Sequence, residues 1–158
     1  MSEISGVRLV VLDVDGVMTD GRLYFDANGE ALKVFNVRDG HGIKSLLQAG
    51  ITVAIISGRC SAALRKRAAE LGIERVHEGV QDKGIAIRAL ITDLGLATEQ
   101  CACLVDDTPD LPMMAAVGWP VAVADAHREV LAAARQVTRL PGGSGAVREL
   151  ADLILGRN

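Results

Sequence analysis

Asp13 and Asp15 follow directly on the apolar run Leu9–Leu12, and Gly16 comes next. A carboxylate buried at the end of a hydrophobic strand is costly unless it is paired or holds a metal. Related groups stand after other apolar runs. Ser57, Gly58 and Arg59 follow residues 51–56, and Asp106 and Asp107 follow Cys101–Val105, with Asp110 close behind. Lys83 begins the helical segment between those two runs. Carboxylates gathered on one rim repel each other, so at least one would be protonated at neutral pH. A hard cation such as Mg²⁺ resolves this, because it takes carboxylate oxygens, waters and a substrate phosphate together. Asp13 and Asp106 can supply such ligands from two strands. Ser57 and Lys83 offer a hydroxyl donor and a cation to phosphoryl oxygens. One acid of the first pair can attack phosphorus and form an aspartyl-phosphate. The other can protonate the leaving oxygen and then deprotonate the hydrolytic water.

The elements that must position these groups alternate in kind. Residues 7–12, 51–56, 101–105 and 121–123 are Val-, Ile- and Leu-rich or otherwise apolar runs without polar alternation, the pattern of parallel strands covered on both faces. Between and after them lie helical segments at 42–49, 61–71, 82–94, 108–117, 127–135 and 146–155. Gly72 and Gly95 serve as helix-ending glycines and Asp82 as a capping acid. Strand–helix alternation predicts an α/β fold: a Rossmann-like doubly wound parallel sheet with helices on both faces, in which ligands bind outside the carboxyl ends of the strands. With 158 residues and no repeat or linker, the chain reads as a single domain over 1–158.

Composition narrows the function. A net charge of −3 without a basic block speaks against nucleic acid as a partner. No apolar stretch reaches membrane-spanning length, and the N-terminus lacks the pattern of a signal peptide. Cys60, Cys101 and Cys103 form no C-x-x-C pair and read as small apolar residues of a reducing cytoplasm. Trp119 reads as packing, and His77 and His127 as structural.

Residues 22–37, RLYFDANGEALKVFNV, break the alternation: Asn28-Gly29 reads as the turn of a projecting hairpin. The chain has four aromatic residues, and Tyr24, Phe25 and Phe35 are all in this segment. A hairpin cannot bury that area against itself, so it must fold onto the domain or onto another subunit.

DVDGVMTD (13–20) resembles the first motif of the haloacid dehalogenase superfamily, with Ser57, Lys83 and DDTPD (106–110) similar to the second, third and fourth. NVRDGHGIK (36–44), SGR (57–59), VAVADAH (121–127) and GGSGAVREL (142–150) further resemble the 3-deoxy-D-manno-octulosonate 8-phosphate phosphatases, which carry no cap domain. The resemblance covers nearly the whole chain. It implies that Asp13 is the nucleophile and Asp15 the acid/base. It also implies that Mg²⁺ is held by Asp13, the Asp15 backbone carbonyl and Asp106. Ser57 and Lys83 complete the catalytic set. Asp15, Asn36, Val37, Arg38, Asp39, Gly40, Lys44, Arg59, Arg67 and Lys83 are implied to contact substrate, with Arg59 and Arg67 on one helix face. A cytoplasmic homotetramer built around the hairpins is implied too, each site completed by a neighbour. Val105 stands where that family usually has glycine and Lys44 where arginine is expected. A C-terminal tail found in longer relatives is expected to be missing.

Two other readings keep parts of this chemistry. A phosphatase for a nine-carbon, sialic-acid-type sugar 9-phosphate would use the same acids. A non-catalytic phospho-receiver or structural domain would also have an acidic pair, a hydroxyl and a lysine. A receiver, however, carries its phosphorylated Asp on a middle strand, away from the acidic pair, and has no partner acid two residues on.

Overall fold

Leu9–Leu12 (β1) is an unbroken apolar run, and none of its four residues reaches solvent. In the computed structural model, which describes residues 4–157, it is a central strand of a six-stranded parallel sheet. Tyr24–Asp26 (β2) and Gly29–Leu32 (β3) form a separate antiparallel hairpin. Then come Val37–Gln48 (α1), Thr52–Ile56 (β4), Ala62–Leu71 (α2), Arg75–His77 (β5) and Lys83–Leu94 (α3). Cys101–Val105 (β6), Leu111–Met114 (α4), Trp119–Ala122 (β7), Arg128–Ala133 (α5), Gln136–Val137 (β8) and Ala146–Ile154 (α6) complete the order. The sheet runs β5-β4-β1-β6-β7-β8. Its strand order reverses beside β1, where doubly wound sheets bind ligands. Among the described residues, no helix is long and apolar enough to cross a membrane.

The expected α/β architecture is present, with differences at the element ends. The four expected strands appear within two residues of their predicted bounds. β8, two residues at a sheet edge, carries no periodic signal and was not anticipated. The helix expected over 108–117 is a 3₁₀ turn, Thr108–Asp110, followed by the short α4. The helix expected from 42 starts at Val37, because the Asn36 side chain accepts hydrogen bonds from the Arg38 and Asp39 N–H groups. Gly40 and Gly42 both lie inside this helix. Here they allow close packing: a Cβ on Gly40 would lie 2.3 Å from the Arg67 guanidinium, and one on Gly42 would lie 3.0 Å from the Arg148 Cα.

The hairpin turn falls one residue earlier than Asn28-Gly29. Asp26 pairs with Gly29, so Ala27 and Asn28 occupy the turn, and Gly29 takes φ +108 just after it. The three hairpin aromatics also part company. Phe35 packs against the domain's own core, whereas Tyr24 and Phe25 stay exposed, Phe25 at 61%. Val105, in place of the family's glycine, is fully buried in β6 opposite Ala122.

Candidate active site

Parallel register carries the chemistry to one rim. Leu12 is level with Ile55 on one side and Leu104 on the other, so Asp13, Ser57 and Asp106 leave adjacent strands at nearly the same height. The Asp13 N–H donates to the Leu104 carbonyl at 3.2 Å, which ties the start of the first acidic loop to β6. The chain then folds into a turn in which Val17, Met18 and Thr19 all donate to the Val14 carbonyl. The buried Thr19 hydroxyl accepts from Gly16 and Gly21, both at 3.2 Å.

Two features force the backbone of this loop. Gly16 has φ +89, and a Cβ there would overlap the Asp106 carboxylate at 1.8 Å. From the far end of the sequence, Gly142 and Gly143 press against the same loop. The Gly143 N–H donates to the Val17 carbonyl, and a Cβ on Gly142 would fall 1.7 Å from the Gly16 carbonyl oxygen. That obstacle is backbone and cannot swing aside. Gly142→Ala should therefore cost roughly 3 kcal/mol, about 10 °C in Tm, and weaken Mg²⁺ binding as the loop shifts. Thermal melts with and without Mg²⁺ read both effects. A variant with unchanged Tm and Mg²⁺ response would show that the contact is dispensable.

Lys83 opens α3, whose N-terminus is capped by Asp82. Its ammonium lies 2.9 Å from Asp13 Oδ1 and 2.6 Å from Asp110 Oδ1, and all three residues are buried. Burial alone would push the Lys83 pKa down, but the two carboxylates outweigh it and hold it above the usual value. The other Asp110 oxygen accepts from the Asp106 and Asp107 N–H groups, both at 3.3 Å, which fixes the fourth loop.

Asp13, Asp106 and Asp110 can bring one carboxylate oxygen each within 4.8 Å of one another. Burial first, and the neighbouring Asp110 charge second, push Asp13 up to about 6 against the pull of Lys83. Burial and the Asp13 charge push Asp106 to about 9. Such acids ionise together only around a cation, so the donor set fits a hard divalent ion such as Mg²⁺. Both Asp110 oxygens already have partners, Lys83 and two N–H groups, whereas Asp13 meets Lys83 through Oδ1 alone.

Ser57 is buried, and its hydroxyl accepts from the Arg59 N–H at 3.3 Å. Asp15 points elsewhere than Asp13. Its Oδ1 meets the Lys33 ammonium at 2.7 Å, and its Oδ2 lies 3.6 Å from the Arg59 guanidinium. Sequence reasoning did not select Lys33 or Glu30. Both lie in the hairpin segment, and their only legible trace was charge beside apolar and aromatic residues.

The remaining predicted substrate contacts are scattered. Arg59 precedes α2 and so does not share a helix face with Arg67; it reaches Asp15 and Glu30, and stacks over Phe25 at 5.8 Å. Arg67 sits under Gly40, 6.0 Å from the Phe35 ring. Val37, Arg38 and Lys44 are exposed on α1. Among the described residues, no hydrogen bond or ion pair joins Asn36, Val37, Arg38, Gly40, Lys44 or Arg67 to Asp13, Asp15, Ser57 or Lys83. Asp39 has a structural task. It is 2% exposed, and its Oδ1 accepts from the Arg148 N–H at 3.0 Å at the start of α6. Burial raises its pKa against the N–H groups of Arg148, Gly145 and Val147. The α6 N-cap, Gly145, has no side chain of its own to do this, so Asp39 caps α6 from another helix.

Fold and site together define a phosphohydrolase: a doubly wound sheet with a carboxylate pair, a hydroxyl, a lysine and a further cluster of acids on one rim. Residues 73–150 match the haloacid dehalogenase-like hydrolase family. The chain is 51% identical over 151 residues to a 3-deoxy-D-manno-octulosonate 8-phosphate phosphatase of Yersinia pestis, covering 96% of this chain and 81% of that one. The cobalt-bound structure of the corresponding Haemophilus influenzae phosphatase superposes with a TM-score of 0.95 at 47% identity, over 99% of this chain and 91% of that one. A Moraxella catarrhalis relative, 38% identical with a TM-score of 0.92 over 97% and 88% of the two chains, was solved with a magnesium ion, a phosphate ion and a KDO molecule. The chain belongs to the 3-deoxy-D-manno-octulosonate 8-phosphate phosphatase family of haloacid dehalogenase-like hydrolases.

Proposed function

We propose that this protein hydrolyses 3-deoxy-D-manno-octulosonate 8-phosphate to the free sugar acid and phosphate. The observation that carries this is the buried Asp13–Lys83–Asp110 constellation beside Asp106, in a chain half identical to phosphatases of that name. Asp13 and Asp106, with the Asp15 carbonyl, would hold Mg²⁺, which supplies positive charge for the phosphoryl oxygens. Lys83 keeps Asp13 ionised as a nucleophile and faces the phosphoryl group, joined by the Ser57 hydroxyl. An Asp13 oxygen bonds to phosphorus as the bond from phosphorus to the sugar oxygen breaks. Asp15 gives that oxygen its proton. Asp15 then takes a proton from water as the water oxygen attacks the aspartyl-phosphate, which returns Asp13 and releases phosphate. A screen of phosphate release over eight- and nine-carbon acid-sugar phosphates tests the substrate. Preference for a nine-carbon 9-phosphate would overturn the choice of sugar but not the chemistry.

The active species is proposed to be a cytoplasmic homotetramer of one-domain chains, residues 1–158, in keeping with three free thiols. Leu23, Phe25, Leu32 and Val34 are each at least half exposed on the hairpin segment, and Val37 at its end is 81% exposed. A neighbour seated there would cover this apolar surface. It would also bring Arg38, Lys44 or their counterparts to a site that the single chain leaves without them. Phe25→Asp places a charge in that surface. It should yield a smaller species in light scattering and lose most turnover of the acid-sugar phosphate, while an aryl phosphate is still hydrolysed. A monomer fully active on the sugar substrate would make the hairpin a local flap.

A further inference from the structure

Lys33 is a lysine whose side chain is only 4% exposed, and its ammonium has two partners: Asp15 Oδ1 at 2.7 Å and Glu30 Oε2 at 3.1 Å. Glu30 is tied down in turn. Its Oε1 accepts from the Ser61 hydroxyl at 2.5 Å, and its Oε2 lies 3.5 Å from the Arg59 guanidinium. Burial would raise the Glu30 pKa, but the Ser61 hydrogen bond and the Lys33 and Arg59 charges bring it below the usual value. A buried ammonium is costly unless paired, and an apolar side chain of similar length would fill the same space without that cost. Packing therefore does not explain a lysine here. What the cation meets does: Asp15, the second acid of the first motif, which Lys83 does not reach.

We propose that Lys33, seated by Glu30, is a positioning residue that holds the Asp15 carboxyl group in the one orientation from which it serves the reaction. This rests on the role given to Asp15 above, and adds what fixes that side chain in place. The Asp15 side chain is 23% exposed, and the hydrogen bond that anchors it comes from Lys33. Arg59, at 3.6 Å and 36% exposed, is the looser second contact. The acidic motif thus has its two carboxylates held from two directions. Lys83 of α3 grips Asp13, and the hairpin grips Asp15.

The two half-reactions separate this from a general structural role. With 4-nitrophenyl phosphate, whose leaving group needs no proton, attack by Asp13 proceeds without help from Asp15, while hydrolysis of the aspartyl-phosphate still needs Asp15 aimed at water. Lys33→Met, saturated with Mg²⁺, should show a burst of nitrophenolate close to one per site. A steady state at least roughly tenfold slower than wild type should follow, the scale expected for a misdirected group. Glu30→Gln, which leaves Lys33 in place without its seat, should give the same pattern with a smaller loss and keeps the test alive if Lys33→Met does not fold. Unchanged turnover in the variants, or burst and steady-state rates falling by the same factor, would overturn the proposal. Failure of the wild-type protein to release phosphate from any monoester would instead overturn the phosphatase reading itself.

Discussion

Asp13→Asn should fold normally and turn over its substrate roughly 10⁴-fold more slowly, or not at all. The amide keeps the volume of the carboxyl and can still accept from Lys83 at the 2.9 Å position, so the buried contact survives. The charge that attacks phosphorus is gone. Removing that charge also relieves repulsion with Asp110 and Asp106, two of the influences that shape the acid cluster. The Tm should therefore stay within a few degrees of wild type or rise. Phosphate release and a thermal melt on the same sample make the check. More than about one per cent residual activity, well above the loss expected for a missing nucleophile, would remove Asp13 from that role.

Chelation should abolish activity, and Mg²⁺ should stabilise the protein more at pH 8 than at pH 5. Asp13 near 6 and Asp106 near 9 both lie above the ordinary aspartate value of 3.8. The metal-free native state therefore holds more protons than the unfolded chain between about pH 4 and pH 9, and these groups make it lose stability as pH rises through that window. A divalent ion bound by the ionised pair competes with those protons, so its stabilisation grows as they leave. Melts with Mg²⁺ and with chelator at the two pH values would show the difference directly. An equal Tm increment at both would contradict a site built on Asp13 and Asp106. Ca²⁺ should restore little activity, because it prefers more ligands at longer distances than two side chains and a carbonyl offer.

The hairpin joins assembly to chemistry in this reading. Phe25 lies on its exposed surface, while Glu30 and Lys33 reach inward to Ser61 and Asp15. Loss of a neighbour would thus be felt first in the recognition of a large acid sugar, and loss of Lys33 in the handling of protons.

Much of this was written locally in the chain. The strand–acid junctions at Leu12–Asp13 and Val105–Asp106 are legible because a buried parallel strand needs a run of apolar residues, and a carboxylate ends that run. Helix ends are legible for a similar reason. Ser61 and Asp82 each accept from an N–H three residues on, and Gly72 and Gly95 take φ +81 and +65, so each stop and start is decided within a few residues. Tertiary structure alone decided the rest. That Gly40 and Gly42 must lack a side chain shows only once Arg67 and α6 are packed against them. Asp39 looks like a loop acid until it caps a helix through Arg148, 109 positions away. Lys33 is one charge in a hairpin until the fold lays it 2.7 Å from Asp15. Local propensity acts over a few residues, whereas a buried charge is tolerated only where the folded chain delivers its partner, and that delivery is a property of the assembled sheet and hairpin.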